Sequence, residues 1–200
     1  KTMRDIIIDT NYGIQIVAGA SGFSKIANLN DEERHFLIEE MDTLSYADVL
    51  IIDTGAGVSQ NVLSFIVASD ESIIVTTPEP TAITDAYGII KIIATEISNP
   101  ALELKLVVNR VVSISEGRKV AERVINIAGQ FLNIKVDNLG MVYEDLIVPQ
   151  SVRKQTPFLV LDPTSKASIS IKHIVSRLEG IEFKEGGGLK NFFLKLLGSK

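Results

Sequence analysis

The chain has 200 residues, of which 46% are hydrophobic and 22% are charged, so it is long enough to bury the core of one domain. Its formal net charge of −5 at pH 7 argues against binding nucleic acid through overall electrostatic attraction, and we expect no direct nucleic-acid partner. The absence of cysteine excludes disulfides and thiolate metal sites. No apolar run approaches the roughly 18 residues of a membrane-spanning helix, so we expect a cytoplasmic chain that is soluble or peripheral to a membrane.

Short apolar runs rich in isoleucine and valine predict buried strands. In chain order they are Asp5–Ile8, Ile14–Ala18, Val49–Ile52, Ile73–Thr76, Leu104–Val108 and Leu139–Val142. Amphipathic patterns between them predict helices over Asn30–Leu44, Thr81–Ile97, Ser115–Leu132 and Thr164–Leu178. Because strands and helices alternate, the sequence predicts an α/β fold with a mostly parallel sheet flanked by helices.

A glycine-rich segment divides the predicted domain from the end of the chain. Residues 185–188 read Glu-Gly-Gly-Gly, a composition typical of a flexible hinge. We therefore expect the domain to comprise residues 1–184, followed by the hinge at 185–188 and a separate tail at 189–200.

An acidic residue ends the third predicted strand. Asp53 follows an apolar run and is itself followed by Gly55 and Gly57. Ligands of open α/β sheets bind beyond the carboxyl ends of the strands, where a carboxylate can hold a Mg²⁺-bound water and glycines let the backbone approach a phosphate. Alternatively, Asp53 caps the following helix near Ser59 and the glycines only turn the chain.

An amide ends the fifth predicted strand. Asn109 carries both a donor and an acceptor, which suits the edge of an adenine base, and Arg110 follows it. Alternatively, Asn109 serves a turn and Arg110 is solvated.

The tail has the pattern of an amphipathic helix. At 100° per residue one face is apolar, with lysines on or near the opposite face and Lys200 at the end. The apolar residues are Leu189, Phe192, Phe193, Leu196 and Leu197, and the flanking lysines are Lys190 and Lys195. This arrangement favours an anionic membrane surface, and the alternative is a helix that packs on the domain or on a partner.

Several motifs together resemble the MinD/ParA family of P-loop ATPases. Residues Tyr46–Gly57 resemble the Walker B and switch II segment, and Gly13–Gly22 resembles the family's strand and glycine turn. The continuation, Asn61–Asp70 and then Ile73–Tyr87 with its Thr-Pro-Glu-Pro-Thr run, resembles the FlhG branch, since MinD usually carries Asn-Pro-Glu there. The resemblance covers most of the chain.

This resemblance implies ATP and Mg²⁺ as cofactors. It implies that Asp53 supports Mg²⁺ and the attacking water, and that the loop with Gly55 and Gly57 senses the γ-phosphate. It also implies that Asn109 and Arg110 line the adenine pocket. Residues Gly140–Phe158 match the family's last strand and loop, but Tyr143 replaces a common proline, so its ring either stacks on the base or plugs the end of the sheet.

The resemblance also implies an ATP-dependent homodimer at the inner face of the cell membrane, anchored by the tail. The implied partners are an FlhF-like GTPase and flagellar basal-body or regulator proteins, and the implied outcome is control of flagellar number and placement. A MinD/ParA relative that positions another cargo, or a non-catalytic adaptor, remain as alternatives.

The sequence contains no G-x-x-x-x-G-K-[ST] phosphate loop. In the family that loop and the D-x-D-x-G switch I region normally precede the position that corresponds to Lys1. We therefore expect the chain to be a fragment of a longer protein that does not hydrolyse ATP alone.

Overall fold

The computed structural model describes residues 2–17, 31–57, 59–97 and 102–180. The chain divides into two compact units, Lys1–Asp70 and Glu71–Lys200. The predicted hinge at 185–188 and the predicted tail helix at 189–200 lie outside the described residues.

The first unit contains short elements. A 3₁₀ helix, Met3–Asp5, precedes β1 (Ile7–Asp9) and β2 (Gln15–Val17), and these are followed by α1 (Asp31–Asp42) and α2 (Gln60–Ala68). Strands β1 and β2 are antiparallel, with Ile7 opposite Val17. The sequence correctly predicted strands here, but the parallel arrangement was wrong for this pair, because a short connection can form a hairpin and a parallel crossover needs a dozen or more residues.

The predicted strand at Val49–Ile52 is not formed. These residues have no regular secondary structure, and their side chains are 41–85% exposed. A strand exists only where a neighbour satisfies its backbone N–H and C=O groups, and no strand in the described ranges pairs with this segment. The apolar composition therefore predicted a strand here, but no strand in the described ranges lies beside this segment to pair with it.

The second unit carries a parallel sheet flanked by helices. Its elements, in chain order, are β3 (Glu71–Thr76), α3 (Pro80–Glu96), β4 (Glu103–Val111), α4 (Ile114–Leu132), β5 (Asp137–Tyr143), α5 (Ile147–Lys154), α6 (Phe158–Leu161) and α7 (Lys166–Leu178). The strand order is β3-β4-β5, and both strand pairs are parallel. The predicted α/β class is confirmed, whereas α5 and α6 were not predicted.

Helices cover both faces of this sheet. On one face Val107 of β4 and Leu139 and Val142 of β5 pack with Ala167 and Ile174 of α7. The opposite face meets α4, whose Gly117 lies against Met141 and Val111. Buried residues on α3 and α4, among them Ile90, Ile93, Val124 and Ala128, belong to the apolar interior of the unit. Because successive strand residues point to opposite faces, an unbroken apolar run such as Leu106–Val108 at the centre of β4 is the expected sequence for a strand covered on both sides.

The connection from β4 to α4 is short and capped. Ser113 Oγ accepts a hydrogen bond from Glu116 N at 3.1 Å, and the Glu116 carboxylate accepts one from Val112 N at 2.8 Å. These contacts satisfy backbone donors that a helix start leaves unpaired. They fix the path of the chain just beyond the carboxyl end of β4.

Among the helices of the described ranges, none combines the length and apolarity needed to cross a bilayer.

Candidate functional site

The carboxyl ends of β3, β4 and β5 meet at one edge of the sheet. β3 ends at Thr76 and leads into Glu79, β4 ends with Asn109 and Arg110 before Val111, and β5 ends at Tyr143. Because all three strands are parallel, these residues lie along the same edge. Ligands of open α/β sheets bind at this edge, so the predicted base-pocket residues occupy the expected side of the unit.

A β-bulge interrupts β4 at the predicted base-pocket residues. Val108 pairs with Met141, and the next pair is Val111 with Tyr143, so Asn109 and Arg110 together oppose one residue of β5. Arg110 has a φ of 58°, in the left-handed region that non-glycine residues seldom adopt. Bulges of this kind redirect side chains and occur next to functional sites more often than elsewhere.

Asn109 makes a short local hydrogen bond. Its side-chain Oδ1 accepts from the backbone N–H of Arg110 at 2.9 Å. The side chain is partly buried, and the amide NH₂ keeps its two donors for other partners. A carboxamide with an oriented NH₂ group at the carboxyl edge of a sheet fits the requirements of an adenine site.

Arg110 joins the loops that follow the two neighbouring strands. Its Nη1 lies 3.6 Å from Glu79 Oε1, and its Nη2 lies 3.3 Å from Glu144 Oε1. All three side chains are about half exposed, with fractions of 51–57%, so each ion pair is individually weak. Together the pairs connect the start of α3, the bulge in β4 and the end of β5.

The pKa of the Glu79 carboxyl lies below its ordinary value. The hydrogen bond from the Thr77 hydroxyl is the main cause, followed by the backbone N–H of Glu79 itself, and the charge of Arg110 lowers the pKa further. Hydrogen bonds and a nearby cation favour the charged form of a carboxyl group. Glu79 therefore presents a stable negative charge to Arg110 at neutral pH.

The loop after β5 is held by hydrogen bonds to its neighbours. Glu144 N donates to Val111 O at 3.0 Å. The Asp145 carboxylate accepts from Ile147 N at 3.1 Å and from Ala167 N at 3.2 Å, so it satisfies one backbone N–H in the first turn of α5 and one in the first turn of α7. Tyr143 is partly buried, and its backbone N–H faces Ser170 Oγ at 3.5 Å. Its role at the base, by stacking or by plugging the sheet, stays a prediction.

Asp53, Gly55 and Gly57 belong to the first unit. All three residues are exposed, and Gly57 adopts a φ of 94° that favours glycine. Within the described part of the chain, helix α2 is capped by Ser59, whose Oγ accepts from Val62 N at 3.4 Å, and not by Asp53. The alternative interpretation of Asp53 as a helix cap is therefore wrong, and its role toward Mg²⁺ stays a prediction.

The acidic side chains and histidines of the described residues are compatible with a magnesium ion whose ligands come mainly from a nucleotide and from water. No cluster of three or more histidine, aspartate or glutamate side chains occurs in the described ranges. Mg²⁺ usually keeps several waters and takes one or two carboxylates beside substrate phosphates, so an exposed Asp53 fits an outer-sphere contact.

Sequence reasoning missed the two acidic partners of Arg110. Glu79 lies in the run that follows β3, and Glu144 directly follows β5. The sequence did offer a signal, since an acidic residue follows each of the two strands that flank β4. In a parallel sheet these residues lie at the same carboxyl edge as Arg110 and can form ion pairs with it. The predicted membrane-contacting residues from Leu189 onward lie outside the described residues.

Solved structures identify the class of fold. MinD of Aquifex aeolicus matches with a TM-score of 0.68 at 19% identity, covering 92% of this chain and 72% of that one. MinD of Pyrococcus horikoshii, solved with Mg-ADP, matches with a TM-score of 0.64 at 20% identity, covering 90% of this chain and 69% of that one. The fold is that of the MinD-type P-loop ATPases.

Sequence comparison identifies the branch. The antiactivator FleN of Pseudomonas aeruginosa is 30% identical over 88% of this chain and 63% of its own length. The flagellum site-determining protein YlxH of Helicobacter pylori is 34% identical over 98% of this chain and 67% of its own length. No protein-family model matches the chain. The chain belongs to the FlhG family of MinD/ParA-type ATPases, and it spans about two thirds of the length of these relatives.

Proposed function

We propose that the protein is an ATP-dependent switch that controls flagellar number and placement. The observation that carries this proposal is the similarity to FleN and YlxH, which extends over 88% and 98% of the chain. The names of these relatives describe an antiactivator and a flagellum site-determining protein, which are the two outputs expected of such a switch.

In this proposal Asn109 and Arg110 bind the adenine of ATP, with Tyr143 beside it. Asp53 holds a Mg²⁺-bound water, and the loop with Gly55 and Gly57 responds to the γ-phosphate. The ATP phosphates and Mg²⁺ supply the hydrolysable bond and its charge neutralisation. The geometry at Asn109 supports the base contact, because its amide is oriented at the carboxyl edge of β4.

The switch itself is proposed to couple ATP to dimerisation and membrane residence. Two subunits bring two tails together, and paired weak anchors gain avidity without any new contact. The tail residues Leu189, Phe192, Phe193, Leu196 and Leu197 enter the anionic inner leaflet, while Lys190 and Lys195 stay at its surface. An FlhF-like GTPase and basal-body or regulator proteins are the proposed partners.

Nucleotide binding tests the first part. In the full-length protein, we expect Asn109→Ala to weaken ATP binding by about tenfold or more, as for the loss of buried hydrogen bonds to a base. Asn126→Ala, on an exposed position of α4, is the matched control and should bind like the parent. Equal ATP affinities for parent and Asn109→Ala, measured by calorimetry, would remove Asn109 from the base site.

Lipid binding tests the second part. Deleting residues 189–200 should abolish ATP-dependent flotation with vesicles that contain anionic phosphatidylglycerol, while vesicles of neutral phosphatidylcholine should bind neither form. If the truncated protein floats as well as the intact one, the tail is not the anchor.

Cell phenotype separates the proposed role from that of a division-site relative. MinD of Bacillus subtilis is 30% identical over 66% of this chain, a lower coverage than that of YlxH. Loss of the gene should change the number or position of flagella and leave septum placement normal. Misplaced septa with normal flagella would favour the division-site role, and an oligomeric state insensitive to ATP would favour the adaptor.

A further inference from the structure

We draw no further inference here: the strongest candidate, the apolar stripe of Ile73 and Val75 on the outer strand β3, leaves 45% and 61% of these side chains exposed, and nothing in the described part of the chain shows what covers it.

Discussion

Replacing Gly140 with alanine should destabilise the protein strongly. Gly140 lies in β5 opposite Val107, at a φ of 153°, and a β-carbon built there would lie 3.0 Å from Ile174 Cγ1 on α7. Ile174 is 8% exposed and belongs to the core between β5 and α7, so it has little room to move. The substitution therefore combines backbone strain with overpacking.

Both contributions can be assigned a magnitude. A side chain in an unfavourable backbone region costs about 1–3 kcal/mol, and an inserted methyl group in a packed core costs about 1–3 kcal/mol. We expect a total loss of about 2–6 kcal/mol, which lowers Tm by about 4–24 °C for a chain of this size. Thermal denaturation followed by circular dichroism measures this shift.

Gly129→Ala is the matched control. Gly129 lies in the interior of α4, is exposed, and an added β-carbon meets nothing within 4 Å. This substitution should stabilise the protein by up to about 1 kcal/mol, because alanine is the better helix former. The opposite signs of the two glycine-to-alanine changes distinguish local geometry from any general effect of alanine.

Combining Gly140→Ala with Ile174→Ala separates overpacking from backbone strain. If the methyl group collides with Ile174, the two losses should be less than additive by about 1–3 kcal/mol. Additive losses would assign the whole effect to the backbone. A Gly140→Ala variant that melts within about 2 °C of the parent would refute both contributions.

Three further predictions concern hydrogen bonds and charges. Asp145→Ala should cost about 1–3 kcal/mol in urea denaturation, because it leaves the N–H groups of Ile147 and Ala167 without their acceptor, and an unchanged midpoint would contradict this. Burial lowers the pKa of Lys105, but its hydrogen bonds to Glu71 and Glu103 outweigh burial and raise it. The ion pairs of Lys105 therefore contribute fully to stability below its ordinary pKa of about 10.4, and this contribution is lost as the pH rises through the pKa of Lys105 in the folded state. Lys105→Met should remove this alkaline component of a pH–stability curve. The pKa of Asp162 lies below its ordinary value, mainly because the Thr164 hydroxyl donates a hydrogen bond to the carboxylate. The carboxylate therefore contributes to stability above its ordinary pKa of about 3.9, and this contribution is lost as the pH falls through the pKa of Asp162 in the folded state. Asp162→Asn should flatten the acid limb of that curve, and a limb identical to that of the parent would contradict the assignment.

Local sequence pattern was sufficient for most of the second unit. The apolar runs at β3, β4 and β5 and the amphipathic patterns at α3, α4 and α7 predicted these elements to within a few residues. Strands covered on both faces and helices with one apolar side leave signals that extend over many neighbouring residues. The short helices α5 and α6 leave weaker signals, and both contain or adjoin a proline.

Local pattern was insufficient where a strand depends on its neighbour. The run Val49–Ile52 is as apolar as β3, yet it forms no strand within the described residues. The composition of β1 and β2 likewise could not show that they pair antiparallel. Hydrogen bonds between strands are made with distant parts of the chain, so composition specifies the tendency and not the pairing.

The sequence by itself determined the α/β class, the order of the main elements and the placement of Asn109 and Arg110 at a strand end. Only the tertiary structure decided the bulge at those residues, the hydrogen bond that orients Asn109, and the ion pairs of Arg110 with Glu79 and Glu144. Periodicity reports which face of an element is buried, because burial repeats along the chain. The contacts of a site join residues that are far apart in sequence, and only the folded sheet brings them to one edge.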